Sequence, residues 1–232
     1  MDKKDAHEEL SNDKLPLRTI FVVFMGLFPL ALTGYLSLIS RHNEAQMAVI
    51  LNFMWVIGIV ISCWVLYLQV SFVRQPIREL NRMPAGFKND ALDGLLMGGI
   101  LAVFGMILNK ISPKYVGFDQ FIHGLSNSPG QMLFFLCVSL LLWAAYEELT
   151  RAFILSQLWS LSSSKKIAHV ILAACALLFA LTYAYQGWGA MVTVGAAGLL
   201  FGGYYLSRGR FLPMLIAHYM LNLVLFGAQI LF

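Results

Sequence analysis

The chain has 232 residues, 16 of them Lys or Arg and 12 Asp or Glu. Charged residues make up 12% and hydrophobic ones 59%, against roughly 25% charged residues in a soluble domain. This composition excludes a nucleic-acid binder, whose surface needs a dense basic patch, and a disordered chain, which is poor in large apolar residues. It predicts an all-α, polytopic transmembrane helix bundle in a lipid bilayer.

The elements follow in chain order. Residues 1–16 read as a polar cytoplasmic tail without the small-residue cleavage site of a signal peptide, so the first apolar span is expected to be retained. About 20 mostly apolar residues cross roughly 30 Å of hydrocarbon. Stretches at about 17–40, 47–73, 91–111, 131–158, 166–185, 189–206 and 211–231 meet that length. The expectation is seven spans, or eight if one long span splits or a segment re-enters. Residues 17–130 then hold the N-terminal spans as scaffold, and 131–232 hold the core spans. Gly94 with Gly98, and Gly198 with Gly202, are each four apart, a spacing that lets helix backbones approach closely. Residues 112–130 form a long loop with an amphipathic fragment from Tyr115 to Leu125. Cys63, Cys137 and Cys175 lie in apolar runs without metal-ligand spacing, and read as buried apolar side chains.

The basic residues set orientation. With the N-terminus inside, the inner segments hold Lys3, Lys4, Lys14, Arg18, Arg74, Arg78, Arg82, Lys88, Lys165, Lys166, Arg208 and Arg210. The outer ones hold Arg41, Lys110 and Lys114. Twelve against three is a positive-inside bias that places the N-terminus in the cytoplasm. The expected location is a bacterial inner membrane.

Arg151 fits neither set. It lies within the fourth span, beside Glu147 and Glu148. An acidic residue at mid-span costs about 2.5–3.5 kcal/mol on insertion scales, so two in succession imply use. Glu147 and Arg151 are four apart on one helical face and can pair. Glu148, about 100° round the helix from Glu147, is three residues from the Arg. One carboxylate can hold the guanidinium while the other faces a cavity as a general base. Downstream, Phe179 and Tyr183 are four apart on the fifth span. On the seventh, His218 and Asn222 are also four apart, and both can donate hydrogen bonds. At 1.5 Å per residue, Glu147, His218 and Asn222 come out roughly 15, 11 and 16 Å from the inner ends of their spans, whereas Tyr183 comes out roughly 25 Å deep.

These residues together resemble the CPBP family of intramembrane proteases, which includes the CAAX prenyl endoproteases and bacterial relatives linked to bacteriocin processing or immunity. The family pattern is Glu-Glu-x-x-x-Arg, Phe-x-x-x-His and His-x-x-x-Asn on successive helices. The resemblance covers about 130–232, and His218 with Asn222 fits the third part fully. The first part is one residue short: aligned on the Arg, its two acidic positions fall on Tyr146 and Glu147; aligned on the acids, Arg151 comes one place early. Tyr183 stands where the family has His. The resemblance implies a glutamate-activated water from Glu147 or Glu148, a carboxylate oriented by Arg151, and oxyanion donation by His218 and Asn222. Tyr183 would replace the missing His. No cofactor and no metal are implied. The expected partner is a membrane protein or peptide substrate, with no nucleic acid. Two alternatives stay open: a non-cleaving member that binds membrane peptides or partner proteins, and a small proton-coupled carrier.

Overall fold

The computed structural model describes residues 15–40, 42–82, 86–112, 124, 127–159 and 165–231. Within them the chain is helical, without a strand. The helices are α1 (Leu15–Ser40), α2 (Glu44–Asn52), α3 (Met54–Tyr67), α4 (Phe87–Ile111), α5 (Pro129–Phe134), α6 (Leu140–Trp159), α7 (Lys165–Thr182), α8 (Trp188–Arg208) and α9 (Leu212–Leu231). A π-helical turn, Leu68–Phe72, extends α3, and another, Phe135–Ser139, joins α5 to α6.

Five of these runs are long and apolar enough to cross a membrane: Arg18–Ser40, Met54–Phe72, Phe87–Ile111, Pro129–Trp159 and Trp188–Arg208. The stretches expected at 166–185 and 211–231 are shorter apolar helices, His169–Thr182 and Leu212–Ala228. The chain is thus an integral membrane helix bundle with five candidate spans among the described residues. The run expected at 47–73 is interrupted at Phe53 (φ −96°, ψ 7°). The backbone ladder nonetheless continues through it, from Phe53 N to Val49 O and from Ile57 N to Phe53 O. Asn43 starts α2 by accepting the Gln46 N–H on its side chain, a standard N-cap. Pro129 opens α5 at its first position, where a missing N–H costs nothing. The fragment from Tyr115 to Leu125 lies, Gly124 apart, outside the described residues.

Helix α6 is the centre of the bundle and touches α1, α3, α7, α8 and α9. Its middle is largely buried: Trp143, Tyr146, Phe153, Ile154 and Leu155 all lie in the core. Polar groups carried on such a helix have no water to turn to and must find partners on neighbouring helices. The bundle perimeter is apolar, with Phe24, Val60, Ile100 and Leu177 exposed, as a lipid-facing surface requires.

Both glycine pairs are points of close helix contact. A Cβ on Gly94 would meet Ile216 Cβ at 2.7 Å, and one on Gly98 would meet the Ala217 carbonyl oxygen at 2.7 Å, both across the α4–α9 seam. A Cβ on Gly198 would meet Ala176 Cα at 2.9 Å, and one on Gly202 would collide with Leu172, both on α7. Two cysteines depart from expectation: Cys175 is buried, but Cys63 and Cys137 are exposed on the perimeter. An apolar run signals membrane immersion, and in a bundle that includes lipid-facing positions. The charge reading also needs a correction. Arg210, expected to serve orientation in a loop, is buried and pairs with Asp90 and Asp93 of α4, each at 2.7 Å. Tyr204 also donates to Asp93, at 2.6 Å. Three charges thus tie the start of α4 to the α8–α9 turn, a link that loop charge counting does not register.

Candidate active site

The fourth-span acids point to different partners because they are 100° apart on α6. Glu148 is fully buried and takes the guanidinium of Arg151, three residues on, into an ion pair. The pairing of Arg151 with Glu147 allowed by their four-residue spacing is therefore not the one formed. Arg151 is held between rings as well: its guanidinium lies 4.3 Å from the Phe179 ring centroid and 5.7 Å from that of Phe201. Cation–π contact of this kind offsets part of the loss of water around a buried cation.

From α9, His218 reaches the same carboxylate, with Nδ1 2.7 Å from Glu148 Oε1. An ionised carboxylate only accepts, so Nδ1 carries the proton, and Glu148 fixes the orientation of the ring. Its other nitrogen, Nε2, lies 3.8 Å from Glu147 Oε2. One face of the ring is backed by Phe201, with centroids 6.1 Å apart.

Glu147, also buried, points toward α7 and α1. Its Oε1 receives three donors: Trp143 Nε1 at 2.6 Å, the Tyr183 hydroxyl at 3.0 Å and the Tyr146 hydroxyl at 3.4 Å. Trp143 and Tyr183 are stacked, with centroids 5.6 Å apart, and Tyr183 stacks on Tyr185 in turn. Its second oxygen, Oε2, is buried without a hydrogen-bond partner, as are Oε2 of Glu148, Nε of Arg151 and Nδ2 of Asn222, one turn beyond His218. Unpaired groups of this sort are rare in folded interiors and need an explanation.

A cavity is lined by Asn222 together with Arg151, Tyr183, His218, Gln186 and Asn109. It offers about 20 Å³ to the centre of a water molecule, and one water needs roughly 10–15 Å³. On the far side of Tyr183 lies a smaller recess that reaches Glu147 and Tyr146 and is walled by Leu30 and Gly34 of α1. Among the described residues no group of three or more His, Cys, Asp or Glu is placed to hold a metal ion.

All six residues expected from the sequence thus meet in one buried layer. Tyr183 joins it although helix counting set it some 10 Å deeper than Glu147. That count assumes spans of equal length starting at one level. Here the two helices belong to runs of 31 and 18 residues, and Tyr183 sits in the turn just past the end of α7. His169, on α7, is exposed and far along the chain from this turn. The sequence reading missed Trp143 and Tyr146 as donors to Glu147. Trp143 was visible in principle, since it lies four residues before Glu147 on the same face.

Residues 129–224 match a family model described as type II CAAX prenyl endopeptidase Rce1-like. The matched segment runs from α5 into α9 and contains all six site residues. It is consistent with the CPBP and CAAX-protease-like resemblance. No curated protein and no solved structure matches the chain.

Proposed function

We propose that this protein is a membrane-embedded endopeptidase of the CAAX-prenyl-protease-like type, with Glu147 as the base that activates water. Its substrate is a membrane protein or peptide, and its N-terminus faces the cytoplasm of a bacterial inner membrane. The observation that carries the reading is that Glu147 Oε2 and Asn222 Nδ2 are buried without hydrogen-bond partners on either side of His218, whose Nε2 lies 3.8 Å from Glu147 Oε2 and which lines, with Asn222, a cavity of one-water size. A base with a free oxygen and, across His218, a donor with a free proton are the parts peptide hydrolysis needs.

In this mechanism Oε2 of Glu147 takes a proton from the bound water as its oxygen attacks the scissile carbonyl carbon. Oε1 remains held by Trp143, Tyr183 and Tyr146, so the carboxylate keeps its aim. Asn222 Nδ2–H and His218 Nε2–H donate to the developing oxyanion. His218 can donate from Nε2 while Nδ1–H stays on Glu148 only as imidazolium. Its charge balances the site, since two carboxylates then face two cations, Arg151 and His218. Glu147 finally passes its proton to the leaving amine nitrogen, and the C–N bond breaks. Arg151 does not touch the reacting atoms and acts by holding Glu148.

The test replaces Glu147 by Gln, which keeps the shape of the side chain, and Glu148 by Gln in parallel. Cleavage of a membrane peptide by the reconstituted protein is the readout. Loss of about 10²-fold or more with Glu147→Gln is expected for removal of a general base. Unchanged cleavage would end this mechanism.

One observation favours a second reading, a non-cleaving member that binds membrane peptides. At the position of the family's His stands Tyr183, whose hydroxyl donates to Glu147, and a phenol, which keeps its proton at neutral pH, does not serve as a base. Cleavage that appears only after Tyr183→His would establish that reading. Cleavage by the unmodified chain would remove it.

A further inference from the structure

Away from the candidate active site, a second cavity lies where α6 and α8 end. It offers about 100 Å³ to water centres, several times what one water needs. Its walls are Arg82, Ser156, Trp159, Tyr205, Leu206 and Arg208. Tyr205 is 4% exposed, yet its hydroxyl has no hydrogen-bond partner. A buried phenol normally finds one, and Tyr205 is one of the residues that line this cavity. The two arginines have exposed side chains. Arg82 directs Nε to the Glu79 carbonyl oxygen at 3.2 Å, which leaves its terminal nitrogens for a ligand. The backbone fixes this geometry, because Arg82 N donates to the Gly209 carbonyl oxygen at 2.8 Å. The carboxylate of Glu79 also bears on Tyr205, so the two guanidiniums outnumber it.

We propose that this pocket binds a phosphate group, and that in the membrane the phosphate belongs to a lipid headgroup. Planar guanidiniums take phosphate oxygens in pairs, and the orphaned Tyr205 O–H supplies a third, neutral donor. Basic pockets between transmembrane helices are suited to anionic headgroups. The position selects the lipid source: the pocket lies at the ends of two candidate spans, where headgroups begin. Trp159 at its rim is 41% exposed, as expected of an indole at the bilayer interface, and Leu206 gives it an apolar wall for the start of an acyl chain.

Full-length protein in detergent is titrated calorimetrically with dihexanoylphosphatidate, dihexanoylglycerol and inorganic phosphate. One phosphatidate is expected to bind per chain, with dihexanoylglycerol about tenfold weaker or worse. The double variant Arg82→Gln, Arg208→Gln should lose roughly tenfold or more, since two charge-assisted contacts go. Tyr205→Phe keeps the ring and should lose several-fold, and it decides the matter if the double variant does not fold. Equal binding of dihexanoylglycerol, or parent-like phosphatidate binding by Tyr205→Phe and the arginine variant, would overturn the pocket. Inorganic phosphate binding as tightly as phosphatidate would overturn the lipid assignment.

Discussion

Replacing Arg151 by Met removes the cation from Glu148 while keeping much of the side-chain volume. Arg151 and Glu148 are 2% and 0% exposed, so solvent cannot replace the lost partner. Breaking a buried pair from one side costs about 3–5 kcal/mol, because the surviving charge is left uncompensated. His218 still donates to Glu148 at 2.7 Å, which puts the expectation at the lower end, about 3 kcal/mol. The guanidinium contacts with Phe179 and Phe201 add about 1 kcal/mol to the loss. For a chain of this length such a change lowers the melting temperature by roughly 10 °C. The assay is a double-mutant cycle in nanodiscs, with thermal unfolding followed by tryptophan fluorescence. Arg151→Met, Glu148→Gln and the combined variant are compared with the parent. The combined variant has no orphaned charge and should be more stable than Arg151→Met alone, with a coupling of about 2 kcal/mol or more. Additive effects of the two single changes would refute the view that this pair compensates itself inside the bundle.

Two further outcomes follow from the same packing. Asn222→Leu should lower cleavage by about 10²-fold, the usual loss for an oxyanion donor, without lowering the melting temperature. The buried Nδ2 has no partner in the resting protein, so its removal relieves a polar group that is costly to keep dry; a large drop in stability would mean that Asn222 is a structural anchor. Gly98→Val should loosen the α4–α9 seam, where a Cβ would sit 2.7 Å from the Ala217 carbonyl oxygen. Overpacking of this kind costs about 1–3 kcal/mol. A thermal unfolding curve that matches the parent would show that the two helices are free to part.

Much of the site was legible because its residues are expensive where they stand. Glu147, Glu148 and Arg151 interrupt an apolar run, and His218 and Asn222 share a face one turn apart on another. These are local facts of spacing. Partner choice was not legible. The α6 geometry permits Arg151 to meet either acid, and only the approach of His218 from α9 and of Tyr183 from the end of α7 decides between them. Trp143 shows the same limit, since a Trp in an apolar span reads as packing until the carboxylate beside it is placed. The Arg210 cluster escaped for another reason: a basic residue at a span end serves topology equally well whether exposed or buried.

Composition alone sets the class, since a chain with 28 charges in 232 residues cannot cover itself with water-soluble surface and must be solvated by lipid. Periodicity adds the helices, because a backbone in hydrocarbon has to satisfy its hydrogen bonds within its own segment. Neither tells which charges meet. Glu148 ends up as the anchor for Arg151 and His218, and Glu147 as the acceptor for Trp143 and Tyr183, because helices of unequal length cross at particular heights and angles. Those heights are set by side-chain packing between elements far apart in the chain, such as Phe179 and Phe201 around Arg151 or Gly98 against Ala217. Only the assembled bundle brings Glu147 Oε2 within 3.8 Å of His218 Nε2 and sets His218 beside Asn222 on the wall of one small cavity.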